Sequence, residues 1–90
     1  MKQDLQVRLD KVSYTLSTVK KAEDFSGLLQ DLLTPQEIVE LGERMQIIQH
    51  LKEWMTQRKV AEKMWISVTT VNRGARVLKF WTGMAEKYIK

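Results

Sequence analysis

Thr69, Asn72, Arg73 and Arg76 recur at intervals of three and four residues, which on a helix lines them up as one polar and basic stripe. Amide and guanidinium groups pair well with adenine and guanine edges, and a threonine serves a phosphate or a thymine methyl, so the chemistry on offer is recognition of nucleic acid. A solvated helix face carries the same residue types. The setting favours recognition. An eight-residue helical pattern from Gln57 to Met64 is followed by a break at Trp65, Ile66 and Ser67 and by a second pattern from Val68 to Lys79. Together these read as a helix-turn-helix, whose second helix enters the DNA major groove. Val60, Met64, Ile66, Val68, Val71 and Leu78 fall where two short crossing helices must bury side chains, with the small Ala61 at their close approach. Thr56 and Ser67 stand just before the two patterns as N-caps, each contributing about 1 kcal/mol.

The elements that hold this unit must come from a chain of 90 residues. One domain of that size buries only about 60 to 65% of the surface its unfolded form exposes, so a lone monomer is marginal and a partner surface would help. There is no cysteine and a single histidine, His50, which removes disulfides, thiolate metal sites and zinc chemistry from consideration. No apolar run reaches a membrane span, and the polar start MKQDLQVRLDK has no signal-peptide core, pointing to a soluble, cytoplasmic protein with no membrane partner. The net charge of +4 is unevenly spread. Residues 57–79 carry six basic groups and one acidic, whereas residues 22–53 carry seven acidic and two basic. The positive charge therefore sits on the reading unit, and the middle of the chain repels phosphate.

Taken in order, residues from Asp4 to about Lys21 place Leu5, Leu9, Val12, Leu16 and Val19 at spacings of 4, 3, 4 and 3, a narrow helix seam. Two readings fit it: docking against a helix of a second copy, or packing on the chain's own core. Ser13, Thr15, Ser17 and Thr18 weaken its intrinsic helicity, so tertiary contacts must hold it. A short helix from Phe25 to Leu32 follows, with Leu28, Leu29, Leu32 and Leu33 as its buried side. Thr34, Pro35 and Glu37 then form a capping box with proline at the first helical position, which starts a central helix running to about Trp54. Ile38, Leu41, Met45 and Ile48 mark one of its faces, and Ile47, Leu51 and Trp54 widen it. His50 reads as an ordinary surface or boundary residue. Beyond the helix-turn-helix, Phe80, Met84 and Tyr88, with Trp81 and Ile89 nearby, predict a final helix interrupted near Gly83. The expectation is an all-α chain of six helices and no strand. It forms a single helical DNA-binding domain: 1–55 dimerisation core helices, 56–79 helix-turn-helix, 80–90 C-terminal helix.

LLTPQEIVELGERMQIIQHL, followed by TQR and VTTVNRGARVLK, resembles the tryptophan repressor family from about Leu28 to Lys79, more than half the chain. The most specific parts are LTPxE, LGxR, the TQR opening and the TxxRG step. The resemblance implies an intertwined homodimer whose helix-turn-helix units enter successive major grooves of a palindromic operator, with bound L-tryptophan setting their spacing. It places Arg44 and Arg73 on opposite faces of the indole, Arg73 also meeting the ligand carboxylate. Gly74 would leave room for the ring, and the partner's Thr34 with carbonyls near Asp31 and Leu33 would complete the site. Guanidinium planes stack on indoles and hold carboxylates through paired, charge-assisted bonds. By the same resemblance Arg58 is the guanine-reading arginine and Lys79 a basic residue near the DNA backbone. Ser67, Val68, Thr69, Thr70 and Asn72 form the tip that approaches bases and phosphates, and Arg76 extends the stripe.

Three departures stand out. Val77 occupies the position of a family serine suited to the ligand's amino group, a hydrogen bond valine cannot make. The loop before Thr56 is one residue shorter. Trp65 stands where the turn usually has glycine to take a left-handed backbone, a substitution strained by about 1 kcal/mol; its indole packs against DNA or fills a pocket if it has a role. The readings in play are an operator-specific repressor with tryptophan or a related effector, an effector-independent helix-turn-helix regulator, and a helical dimerisation or adaptor module without DNA binding. No nucleophile and base pair, metal-ligand cluster or phosphate loop suggests an enzyme.

Overall fold

The structure, a computed structural model, describes residues 2–76 and 82–90. Among these residues the chain is all-α: α1 (Lys2–Ser17), α2 (Ala22–Leu32), α3 (Pro35–Lys52), α4 (Gln57–Met64), α5 (Val68–Ala75) and α6 (Met84–Tyr88). The six helices and the absence of strands match the periodicity of the sequence. The expected continuation of α5 to Lys79, the burial of Leu78 and the placement of Phe80 and Trp81 lie outside the described residues. The chain divides into two compact units, Met1–Ile38 and Val39–Lys90.

In the first unit, α1 ends at Ser17, four residues short of the expected Lys21. Hydroxyls explain the early stop. Thr15 Oγ1 donates to the Lys11 carbonyl at 3.1 Å, Ser17 Oγ to Tyr14 at 2.6 Å and Thr18 Oγ1 to Thr15 at 2.7 Å, bonds that compete for helix carbonyls. No residue of α1 is buried. Leu5 is 68% exposed, Leu9 52% and Val12 50%, so among the described residues of its own unit most of the seam has no cover, while Leu16 and Val19 are half-buried. α2 begins at Ala22, three residues earlier than expected, with Glu23 and Asp24 in its first turn where the helix dipole favours them. Leu28, Leu29 and Leu33 are half-buried; Leu32, expected on the same side, is exposed. The capping box forms as read: the Glu37 N–H donates to Thr34 Oγ1 at 3.2 Å, and the Thr34 N–H donates to Glu37 Oε1 at 2.8 Å.

The second unit holds the buried core. Ile47 of α3, Val60 and Ala61 of α4 and Val71 of α5 form one cluster, flanked by partly buried Leu51, Met55, Met64 and Ile66. Ile48 is buried as well, whereas Leu41 and Met45 are exposed on the same helix. α3 ends at Lys52, not Trp54. The Met55 N–H reaches back to the His50 carbonyl at 3.3 Å and the Trp54 N–H to Leu51 at 3.1 Å, a Schellman closure. Trp54 takes the left-handed position of that closure, with φ of 66°, and its side chain is 93% exposed. The assignment of Trp54 to the helix's buried face is thereby corrected: the chain has left the helix before the periodicity runs out. His50 is half-buried, with Nδ1 lacking a hydrogen-bond partner and Glu53 Oε2 4.0 Å away.

At the C-terminal end Gly83, at φ of 92°, precedes α6; the part of the expected final helix before it lies outside the described residues. Lys52 Nζ donates to the carbonyls of Glu86 at 2.7 Å and Ile89 at 2.6 Å, and Gln49 Nε2 donates to that of Lys90. A cation on the last carbonyls of a helix satisfies acceptors that the helix itself leaves open. α3 thus secures α6 as well as supporting α5. Among the described residues no helix is long and apolar enough to cross a membrane.

Candidate nucleic-acid interface

Both caps of the helix-turn-helix are in place. The Lys59 N–H donates to Thr56 Oγ1 at 3.1 Å and the Thr70 N–H to Ser67 Oγ at 3.1 Å, so in each short helix one of the first-turn N–H groups without an intrahelical acceptor is satisfied by the cap. Between them α4 closes by a second Schellman motif. The Ile66 N–H donates to the Ala61 carbonyl at 3.1 Å and the Trp65 N–H to Glu62 at 3.4 Å. Trp65 is left-handed at φ 59°, ψ 42°, as its place in the turn demands, and its side chain is 94% exposed. Ile66 turns into the core while its neighbour stays in solvent.

The opposite side of this packing presents the stripe. Val71 is fully buried against α3 and α4, and its helix neighbours Thr69, Asn72, Arg73 and Arg76 are exposed, as are Arg58 and Ser67. Thr70 is half-buried, its Oγ1 2.9 Å from Ser67 Oγ, so the two hydroxyls share the N-terminal end of α5. Val68, expected in the helix-helix contact, is instead 44% exposed. It is the first residue of α5, beyond the reach of α4's closing turn, and there it adds an apolar surface to the tip. Lys79 lies outside the described residues.

An open cleft of about 290 Å³ is lined by Gln57, Asn72, Ala75 and Arg76. It joins the first turn of α4 to the C-terminal half of α5, and it brings together two stripe residues with Gln57, which periodicity did not single out. The available signal was the position of Gln57 directly after the Thr56 cap, where helix N–H groups have no intrahelical acceptor. Carboxamide donors and a guanidinium around an opening of this size suit a phosphate oxygen.

The residues assigned to an effector are placed differently. Gly74 is buried, and a Cβ there would stand 3.0 Å from both Cδ1 and Cγ2 of Ile47, so the missing side chain is what lets α5 lie directly on α3. Arg73 adjoins this contact, and Arg44 lies one helical turn before Ile47 on α3; both are exposed. Thr34 is engaged in its capping box. Val77 lies outside the described residues. Among the described residues no group of histidine, cysteine and carboxylate side chains could hold a metal ion.

Comparison with known proteins adds one finding: the family model described as Trp repressor protein matches residues 7–90. No solved structure matches the chain.

Proposed function

Because the chain belongs to the Trp repressor protein family, a family of DNA-binding transcriptional repressors rather than enzymes, we propose that it binds a palindromic operator as a cytoplasmic homodimer with L-tryptophan as co-repressor. The observation that carries the DNA-binding part is the doubly capped helix-turn-helix whose exposed stripe holds Thr69, Asn72, Arg73 and Arg76 in the most basic stretch of the chain. Arg58 in the first turn of α4 reads a guanine, Ser67, Val68, Thr69 and Thr70 form the approaching tip, and the Gln57–Asn72–Arg76 cleft receives a backbone phosphate. Lys79 adds a further backbone contact. The exposed seam of Leu5, Leu9 and Val12 supports a dimer. Arg44 and Arg73, flanking the α3–α5 contact, support an aromatic amino-acid site completed by the partner's Thr34.

Selection of bound sequences from a random duplex pool, with and without L-tryptophan, tests the whole reading. The expected product is a two-fold symmetric site recovered at lower protein concentration when tryptophan is present. Recovery of no sequence sinks the DNA-binding reading, and equal recovery with and without tryptophan removes the effector. On the selected site Arg58→Ala is expected to weaken binding by roughly 1 to 3 kcal/mol and relax preference at one base pair; a uniform loss across sequences would recast Arg58 as a phosphate contact.

A second reading keeps the operator and drops the ligand. Its support is the Gly74–Ile47 contact, which explains the glycine by helix packing alone, together with Val77 in place of a hydroxyl. Titration calorimetry with tryptophan separates the two, since saturable binding lost in Arg73→Ala belongs to the first.

A further inference from the structure

Trp65 has a backbone that suits glycine and a side chain that the described fold does not use. It sits at φ 59°, ψ 42°, and glycine or asparagine would hold the same turn with less strain. The indole is 94% exposed, so burial within the described fold does not offset that strain. Its pivot is nevertheless firm. The N–H of Trp65 is tied to α4, and the next residue, Ile66, is bonded to the Ala61 carbonyl and packed on the core. Two residues on is Ser67, the cap of α5, followed by the exposed Val68 and Thr69. The same short stretch therefore offers an indole, a valine surface and hydroxyls, inside the 57–79 segment with its six basic groups and one acidic.

We propose that Trp65 is a DNA-contacting residue of the recognition tip, its indole lying against sugars and base edges of the duplex at the edge of the half-site. Charge complementarity selects the occupant: a segment this basic attracts a polyanion, and a duplex supplies apolar sugar surfaces and thymine methyls beside its phosphates. Trp54 sharpens the argument. It has the same left-handed backbone and 93% exposure, but it follows Glu53 at the end of the acidic 22–53 stretch, where phosphate is repelled. The inference rests on the operator-binding reading above and names a contact that the basic stripe does not include.

The test measures duplex affinity and thermal melting for Trp65→Gly, Trp65→Asn, Trp65→Phe and Trp54→Gly on the site recovered from selection. Trp65→Gly and Trp65→Asn are expected to melt higher, by about 4 °C or more, through relief of strain. They are expected to bind DNA roughly fivefold to tenfold more weakly, with an unchanged salt slope because no charge is lost. Trp65→Phe should retain most of the affinity, and Trp54→Gly should melt higher and bind as the parent does. Parent-like affinity in both Trp65→Gly and Trp65→Asn overturns the proposal, as does an equal loss in Trp54→Gly. If the unsubstituted protein binds no duplex, the repressor reading fails first and this inference falls with it.

Discussion

Val71→Asp is expected to abolish the cooperative melt of the helix-turn-helix and all duplex binding. Val71 is fully buried, and its cluster consists of Ile47, Val60 and Ala61 with a few half-buried neighbours, none of which can hydrogen-bond a carboxylate through its side chain. An unpaired charge at such a position destabilises by about 3 to 5 kcal/mol. A domain's whole stability is only about 5 to 15 kcal/mol, and a core this small belongs at the low end. Thr69→Asp supplies the comparison. It adds the same charge to the first turn of the same helix, on an exposed position where the helix dipole favours it. Its melt should stay near the parent's while DNA binding falls through repulsion by phosphate. Circular dichroism against temperature checks both, and a Val71→Asp melt within a few degrees of the parent's would show that α4 and α5 are held by something other than this cluster.

Local chemistry is what the sequence displayed most openly. Thr34, Glu37, Thr56 and Ser67 make the cap bonds expected of them, because a cap depends on residues within one turn. The stripe of α5 was legible for a related reason, since burial of Val71 leaves its neighbours facing solvent. Trp54 was misplaced because helical periodicity continues in the letters after the backbone has turned left-handed. The only sequence sign was a short connection that had to reach Thr56. The α1 boundary moved because hydroxyl back-bonding, not apolar spacing, determines where that helix stops. The Gln57 cleft depends on how α4 crosses α5, which no spacing within either helix encodes. The resemblance gave Gly74 one meaning, room for a ring; the close approach to Ile47 is a second that no spacing in the sequence displays. The exposed leucines of α1 and the exposed Leu41 and Met45 of α3 could not be given partners from one chain's pattern, because a seam reads the same whichever helix fills it.

Leu9→Glu combined with Val12→Glu is expected to convert the protein to a monomer at micromolar concentration and to remove operator binding, although neither residue lies in the helix-turn-helix. Both side chains are about half exposed, and with Leu5 they continue one apolar line at spacings of 4 and 3. Covering a leucine or valine completely stabilises by about 1.5 to 3 kcal/mol, so such a line is worth covering and damaging to charge. In a two-fold dimer each substitution occurs twice, placing four carboxylates where apolar side chains met. α1 has little else to sustain it: its hydroxyl residues disfavour helix, its one described ion pair, Arg8 to Asp4, is exposed, and isolated helices of its length are marginal. Loss of the partner should therefore appear as a fall in helical signal as well as in mass by sedimentation equilibrium. DNA affinity should drop because two reading heads held together engage a palindrome as one ligand, and separated heads engage it one at a time. Tyr14→Glu, a change at a more exposed position of α1 off the seam, is expected to leave mass and DNA binding alone. A double variant that keeps the parent's mass would assign the seam to its own chain's core, and would require the operator to be read by a dimer built on another surface.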